Sequence, residues 1–356
     1  MHAKLLRLSA AALTCWACGT DPTPARDGGA GSDSGRIPGA DAGTAADAAP
    51  RGDAGPAPEG TGRAYYTLGD DVFRIEAREG ATPEDVSAAL DRLGPGTRDR
   101  WITASPSGAY LVLSADRGGC GGECLVRVRG DLTGLEAVRP DDTELYVEGT
   151  PAVSNDGDTI VYSAKGGQHE VDLFLTRRVG GQWSTPLMLT RASGYAYNNM
   201  PALDRDGSRV VFDCGQNPYP EDGANDACEV GLDGTGFARL VGPSTLPGAR
   251  EDKVQNPHRG LDGLLFEASW PIDGQTPETI WLLPSAGGAP QPIGRTFSNA
   301  VSPCPLGDGR FVFLWLSRPG NAAGLHELAL AARDGTIITT LTPGVDVADI
   351  GLGCSD

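Results

Sequence analysis

The sequence of 356 residues carries a formal net charge of −18 at pH 7 and has a pI near 4.6. Such an acidic chain repels a phosphate backbone, and no basic stripe with interleaved aromatic residues is present, which argues against nucleic acid as a partner. Its 51 glycines and 27 prolines exceed the usage of ordinary domains and are typical of short strands joined by tight turns.

Residues 1–18 have the pattern of an export signal. Lys4 and Arg7 supply positive charge, and residues 8–17 form an apolar stretch that is too short to span a bilayer. Cys18 directly follows this stretch, and the arrangement resembles the lipobox at which bacteria attach a lipid to a cysteine thiol. The resemblance implies lipidation at Cys18.

Two alternatives remain open at this signal. Cys15 is a rival lipidation site, and an ordinary signal peptide would be cleaved near Ala17. Gly19 rather than aspartate follows Cys18, which in the familiar Gram-negative sorting pattern implies the outer membrane. The sequence therefore predicts an exported outer-membrane lipoprotein that faces the periplasm or the cell surface, with the membrane contacted only through its lipid anchor.

Residues 19–63 consist largely of Asp, Ala, Gly, Pro and Ser and contain almost no large apolar side chain. Such a segment cannot bury enough surface to offset the cost of ordering its backbone. We therefore expect a disordered tether that holds a folded domain away from the membrane.

The folded body is predicted to span residues 64–356. Five similar stretches occur in it, each with a short apolar strand, a glycine turn and a stronger apolar strand, for example PAVSNDGDTIVYSA and PALDRDGSRVVFDC. The turn glycines lie roughly fifty residues apart, a period typical of propeller blades. They are Gly108, Gly157, Gly207, Gly263 and Gly309.

The second half of each unit also recurs, as a third strand, a turn and a polar fourth strand. Examples are VDLFLTRRVGGQWSTPLMLT and LHELALAARDGTIITTLT. These units resemble the TolB-type propeller repeat over roughly Tyr65 to Leu352, nearly the whole predicted body. The resemblance implies an all-β propeller.

The two ends of the body set the predicted number of blades. Residues 345–352 follow the fifth unit and are predicted to form one innermost strand, while residues 65–76 and the segment up to Leu93 supply outer strands. Joined, they make a sixth blade that is closed by strands from both termini. The alternative for residues 82–90 is a short helix that starts at the Thr-Pro-Glu-Asp sequence.

Six cysteines remain outside the leader, and the propeller register implied by the resemblance pairs them. We expect disulfides Cys120–Cys124, Cys214–Cys228 and Cys304–Cys354, the last joining the ends of the ring. The alternative for Cys120 and Cys124 is zinc binding, although two further ligands would be needed.

A candidate binding site follows from the repeat alignment, because loops that lead into the inner strands surround one mouth of a propeller's central channel. We expect amides and charged side chains to form a rim that binds a protein or a glycan, or else a solvated funnel without a ligand. Tyr195, Tyr197 and Trp101 would add flat apolar contact or would pack between blades. The predicted rim residues are Arg100, Glu148, Asn198, Asn199, Gln255, Asn256, Asn299 and Asp346.

Catalytic motifs are scarce, and we predict no catalytic residue and no required cofactor. His169, His258 and His326 are the histidines of the body, and an alternative function is a metal-dependent polysaccharide lyase if they converge. The acidic turns at residues 155–158 and 204–207 raise calcium as a further alternative, although a full calcium loop is missing.

The sequence therefore predicts a non-enzymatic, monomeric envelope lipoprotein that binds a protein or a glycan through one face of a propeller. The N-terminal α/β domain that TolB carries is replaced here by the predicted tether, so TolB's own partners are not expected to transfer.

Overall fold

The computed structural model describes residues 62–94, 96, 98–117, 124–138, 149–217, 225–247, 253–269, 277–293, 299–316, 318, 324–347 and 352–356, and the backbone of 144–145. The predicted signal, lipidation site and tether lie outside these residues, as do Glu148 and Cys120, and with Cys120 the proposed Cys120–Cys124 pair.

The described strands form six antiparallel sheets, which are the six blades of a propeller. The chain first supplies β1 (Arg63–Leu68), β2 (Asp71–Glu76), β3 (Glu84–Asp85) and helix α1 (Val86–Leu90). Blade 1 contains β4 (Asp99–Ala104), β5 (Tyr110–Ala115), β6 (Cys124–Arg129) and β7 (Glu136–Val138). Blade 2 contains β8 (Glu144–Leu145), β9 (Ala152–Val153), β10 (Thr159–Lys165), β11 (Asp172–Val179), β12 (Gln182–Trp183) and β13 (Leu187–Met188).

The remaining blades have four strands each. Blade 3 contains β14 (Tyr197–Leu203), β15 (Arg209–Gly215), β16 (Asn225–Gly231) and β17 (Ala238–Val241), followed by a 3₁₀ turn at Pro243–Thr245. Blade 4 contains β18 (Val254–Arg259), β19 (Gly263–Ser269), β20 (Glu278–Pro284) and β21 (Gln291–Pro292). Blade 5 contains β22 (Ala300–Pro305), β23 (Phe311–Trp315), β24 (Glu327–Ala331) and β25 (Ile337–Thr340), and β26 (Gly353–Ser355) completes blade 6.

The sixth blade is split between the two ends of the described chain, as expected. Its strand order is β26-β1-β2-β3, and β26 pairs antiparallel with β1, with Ser355 opposite Arg63 and Gly353 opposite Tyr65. The prediction that residues 345–352 form the innermost strand is wrong, because the strand begins only at Gly353. Cys354 therefore lies within the closing strand and not after it.

Segment 82–90 contains both of the elements considered for it. Its first part is the two-residue strand β3, and Asp85 then caps helix α1 by accepting a hydrogen bond from the Ala88 backbone nitrogen at 2.8 Å. No helix among the described residues is long and apolar enough to cross a membrane.

The core of the described chain is divided into six apolar clusters, one between each pair of neighbouring blades. Strand β23 contributes side chains to two of these clusters. Val312 and Leu314 pack toward blade 6, while Phe311, Phe313 and Trp315 pack toward blade 4. Alternate side chains of a strand face opposite sides of the sheet, so a blade buried on both sides needs a continuous apolar run.

Two disulfides join described cysteines, and both are pairs that the propeller register suggested. Cys214–Cys228 links β15 to β16 within blade 3, and Cys304–Cys354 links β22 of blade 5 to β26 of blade 6. Such bonds form in compartments outside the reducing cytosol. The second bond fastens the short closing strand to its neighbour in the ring.

Replacing Cys304 and Cys354 together by serine is expected to destabilise the propeller by about 4 kcal/mol, because 50 residues separate the two cysteines. The matched change at Cys214 and Cys228, which are 14 residues apart, should cost about 3 kcal/mol. Urea unfolding followed by fluorescence measures both values. A larger loss at Cys214 and Cys228 would contradict a ring held by its closing disulfide.

Replacing Gly353 by alanine is expected to destabilise the protein by about 1–3 kcal/mol through overpacking at the ring closure. A methyl group there would lie 2.6 Å from the Cα of Thr103 and 3.0 Å from the Ala104 backbone nitrogen. Gly194→Ala is the control, because a methyl group at Gly194 meets nothing within 4 Å. Equal urea midpoints for the two variants would show that β26 does not approach blade 1 this closely.

Candidate functional site

The inner strands of four blades share one irregularity. Pairing with the second strand shifts register within β4, β14, β18 and β22, as a β-bulge requires. The same position of each bulge has a positive φ, between 49° and 54°, although none of the four residues is glycine. These residues are Trp101, Met200, Asn256 and Ser302.

Two of these bulges are held by a carboxylate of the preceding blade. The Asn256 backbone nitrogen donates to Asp213 Oδ1 at 2.8 Å, and the Ser302 backbone nitrogen donates to Glu267 Oε2 at 2.6 Å. Asn256 Nδ2 also donates to Glu267 Oε2 at 3.0 Å, so Asn256 connects both carboxylates. Both carboxylate side chains are buried, and these hydrogen bonds offset part of the cost of burying them.

Burial is the main cause that raises the pKa of Asp213 well above its usual range, and the charge of Glu267 raises it further. The hydrogen bond from the Asn256 backbone acts in the opposite direction. The wall between blades 3 and 4 therefore contains a carboxyl group that holds its proton more strongly than an exposed aspartate does.

The six inner strands enclose a channel cavity of about 430 Å³. We call the end where the inner strands begin the mouth face, and the end with their hairpin turns the turn face. Each blade contributes one side chain or backbone segment near the middle of the cavity wall. These residues are Thr103, Ala152, Ala202, His258, Cys304 and Cys354, in blade order from 1 to 6.

His258 is the large polar residue of this set. Its imidazole borders the cavity, and its side chain has no hydrogen-bond or ion-pair partner within the described part of the chain. Burial lowers the pKa of His258 to about 4, so the ring is neutral at pH 7. A neutral imidazole offers one N–H donor and one nitrogen acceptor.

The two ends of the cavity differ. On the mouth face, Lys253 forms an ion pair with Glu278. On the turn face, Arg205 of blade 3 makes a two-pronged ion pair with Asp356 of blade 6, at 2.5 and 2.8 Å. Blades 3 and 6 are opposite in a ring of six, so this pair crosses the channel. An ion pair thus spans the cavity at the turn face, and another lies at the mouth face.

Of the predicted rim residues that the structure describes, only Gln255 and Asn256 lie at the cavity wall. Arg100 forms an ion pair with Asp70 at the mouth face, and Asp346 accepts a hydrogen bond from the His326 backbone nitrogen at 2.9 Å. The Asn299 carbonyl accepts a bond from the Leu316 nitrogen at 2.8 Å.

Asn198 does not line the cavity, because its side chain is fully buried where blades 2 and 3 meet. Its Nδ2 donates to the Val171 carbonyl at 3.2 Å, and its Oδ1 accepts a bond from the Ser193 hydroxyl at 2.7 Å. Asn199 occupies the space that a side chain at position 149 would fill, which explains the glycine there.

None of the three aromatic residues considered for the rim borders the cavity. Tyr197 begins inner strand β14, and Tyr195 packs against the apolar cluster between blades 2 and 3. Trp101 is buried, and the Tyr195 hydroxyl donates to Asp226 Oδ2 at 2.5 Å. Burial, aided by Asp226, raises the pKa of Tyr195 to about 12.

The histidines do not converge as the lyase alternative requires. His169 Nδ1 lies 2.7 Å from Asp172 Oδ1 in blade 2, and His326 pairs with Asp346 near blade 5, whereas His258 borders the channel. Across the described residues, no group of three His, Cys, Asp or Glu side chains is placed to hold a metal ion. In the acidic turns, Asp156 and Asp206 accept hydrogen bonds from residues of their own turns.

The rim alignment missed Glu267 and Ser302, and it treated His258 as a ligand of a metal. A comparison of the repeats one step further into the inner strand would have found His258, since Thr103, Ala152, Ala202 and Cys304 are all small at that position. No comparable sequence signal identifies Glu267 as a site residue, because it is a single acidic residue in an apolar strand.

No protein-family model matches the sequence, and no curated protein matches it either. Solved structures do share its fold. TolB from Acinetobacter baumannii has a TM-score of 0.55 at 14% identity, covering 83% of this chain and 67% of that one. TolB from Agrobacterium tumefaciens has a TM-score of 0.51 at 18% identity, covering 79% and 88%.

Hydrazine synthase from Kuenenia stuttgartiensis is similar as well, with a TM-score of 0.57 at 11% identity, covering 84% of this chain and 47% of that one. Identities this low establish the fold alone. The chain is a six-bladed propeller with a fold similar to that of TolB, as the repeat resemblance implied, and its chemistry must be argued from its own channel.

The Asp213→Asn variant should be less sensitive to pH than the wild type. Between the unfolded-state pKa of about 4 and the raised folded-state pKa, the folded wild type binds the extra proton, so its stability falls as pH rises. Asparagine cannot ionise and keeps an oxygen for the Asn256 N–H. Urea unfolding of both proteins from pH 4.5 upward measures the difference, and parallel stability curves would contradict a raised pKa at Asp213.

Proposed function

We propose that this protein is a non-enzymatic scaffold of the bacterial cell envelope that binds a protein or a glycan in the mouth of its propeller channel. The observation that carries the proposal is a cavity of about 430 Å³ that is spanned by the Arg205–Asp356 ion pair at the turn face and lined by polar side chains toward the mouth face. Concave sites with a few convergent polar groups are where ligands usually bind.

The arrangement of the chain suits an anchored protein. Strand β1 starts at Arg63 beside Ser355, the end of the closing strand, so the polypeptide joins the propeller at the turn face. Attachment through the preceding residues leaves the mouth on the opposite face. In this proposal, lipidation at Cys18 and a tether attach the protein at its turn face, and the mouth is directed to a partner in the periplasm or at the cell surface.

Export is supported by two independent features. The leader pattern of residues 1–18 is one, and the disulfides Cys214–Cys228 and Cys304–Cys354 are the other. Together they support an envelope location, and the lipobox resemblance extends this to the outer membrane.

Capture from detergent-solubilised envelope tests the site. Immobilised wild-type protein is expected to retain a partner that Gln255→Trp loses by at least about tenfold, because tryptophan at the mouth fills the approach to the cavity. Gln182→Ala is the matched control, since Gln182 is an exposed residue on outer strand β12 of blade 2. Thermal melting checks that each variant is folded.

Equal retention of the same partners by the wild type, Gln255→Trp and Gln182→Ala would show that the mouth is not the binding site. Quantitative mass spectrometry of the retained proteins and glycans provides the comparison.

A further inference from the structure

The charged side chains that line the channel are largely neutralised by one another. Each of the three cations on the wall has a carboxylate partner, so a bound ion would have to compete with an existing ion pair. The pairs are Lys253 with Glu278, Arg205 with Asp356, and Arg259 with Asp204.

Four polar residues of the cavity wall have side chains without a partner in the described part of the chain: Thr103, Thr150 and the two larger ones, His258 and Gln255. Both are uncharged at neutral pH, and each combines a donor with an acceptor. Both project from β18, His258 deeper in the channel and Gln255 nearer the mouth face. A ligand that forms hydrogen bonds with both side chains must itself carry hydrogen-bond donors and acceptors close to one another.

Two more groups border the same part of the wall. Glu267 Oε2 accepts hydrogen bonds from the backbone N–H of Ser302 and from Asn256 Nδ2, so this carboxylate is already partnered. The Ser302 hydroxyl lies 3.4 Å from Asn256 Nδ2 and has a proton to donate. The amide of Gln255, the imidazole of His258 and the hydroxyl of Ser302 therefore border one side of the cavity, between blades 3 and 5.

Sugar hydroxyls fit this arrangement, because each one is both a donor and an acceptor and carries no charge. Met200, Pro201, Pro305 and Leu316 supply apolar wall for the C–H faces of a sugar ring. The volume of about 430 Å³ suits a small ligand, and the Arg205–Asp356 ion pair spans the turn face. A ligand that enters from the mouth face meets this ion pair at the far end, so the end of a chain fits better than its middle.

We infer that the channel binds the terminal units of a neutral oligosaccharide, with His258 and Gln255 hydrogen-bonded to its hydroxyl groups. The inference rests on the proposed function, since it names the ligand class of the same site. A neutral imidazole is preserved there by burial, which keeps both its donor and its acceptor available at physiological pH.

Histidine-selective isotope labelling of the full chain gives a direct test, because the sequence contains only four histidines. The ring signals are followed by NMR during titration with neutral trisaccharides of glucose and of N-acetylglucosamine, in α- and β-linked forms. At least one of them is expected to shift the His258 signal to saturation while leaving the His169 and His326 signals in place.

Variants extend the test. His258→Ala and Gln255→Ala should each weaken the association constant by about tenfold, as the loss of a hydrogen bond to a buried hydroxyl implies, and Gln182→Ala should leave it unchanged. Gln255→Trp should abolish the shift by filling the mouth. Calorimetry on the same proteins gives the constants, and thermal melting confirms folding.

The inference is overturned if no trisaccharide of the set shifts the His258 signal, or if binding persists unchanged in His258→Ala and Gln255→Trp. Envelope capture separates this from the proposed function. A partner protein lost by Gln255→Trp, without any saccharide response, leaves the site in place and refutes the ligand class. Capture that survives Gln255→Trp refutes the site itself.

Discussion

The propeller depends on the pairing of β26 with β1. Each apolar cluster lies between two blades, so every blade needs a neighbour on both sides, and the ring needs its sixth junction. That junction rests on a closing strand of only three residues. A backbone hydrogen bond contributes about 1 kcal/mol to stability in net terms. The pairing of a three-residue strand therefore stabilises the closed ring only weakly by itself. The Cys304–Cys354 disulfide and the Arg205–Asp356 ion pair place two further links at the same strand end.

A second constraint shapes the channel wall. At each bulge of an inner strand, a backbone N–H group loses its hydrogen bond to the neighbouring strand. A buried N–H group of this kind needs another acceptor. At two junctions the acceptor is a carboxylate of the preceding blade, Asp213 or Glu267. The register-equivalent residues of blades 1 and 5 are Ser114 and Leu314, so the carboxylates are confined to blades 3 and 4. The hydrogen bonds between these carboxylates and the bulges of the next blades therefore also make one side of the channel polar.

The sequence predicted the fold well because a repeat provides the same evidence five times. It located the rim only in part. The bulge lies at the same place in β14 and β18, and the register equivalent of Gln255 is Asn199, so Asn198 lies one residue earlier. Turn glycines fix the hairpins but do not show this register. Gln255 and Asn256 border the cavity, whereas Asn198 is buried where blades 2 and 3 meet. The closing strand was misplaced for another reason, since its Gly-Cys-Ser sequence has no apolar pattern.

The chemistry of this propeller lies where its repeats differ. At the middle of the channel wall the inner strands place alanine, threonine or cysteine, which are small residues that leave a cavity, and His258 is the exception. Nothing in the packing of blade 4 requires an imidazole there, since its side chain has no partner in the described chain. The side chain is partly exposed to the cavity, so its nitrogens are open to solvent in the empty protein. A ligand that reproduces those hydrogen bonds can displace water from the imidazole, which then fixes the orientation of the ligand in the channel.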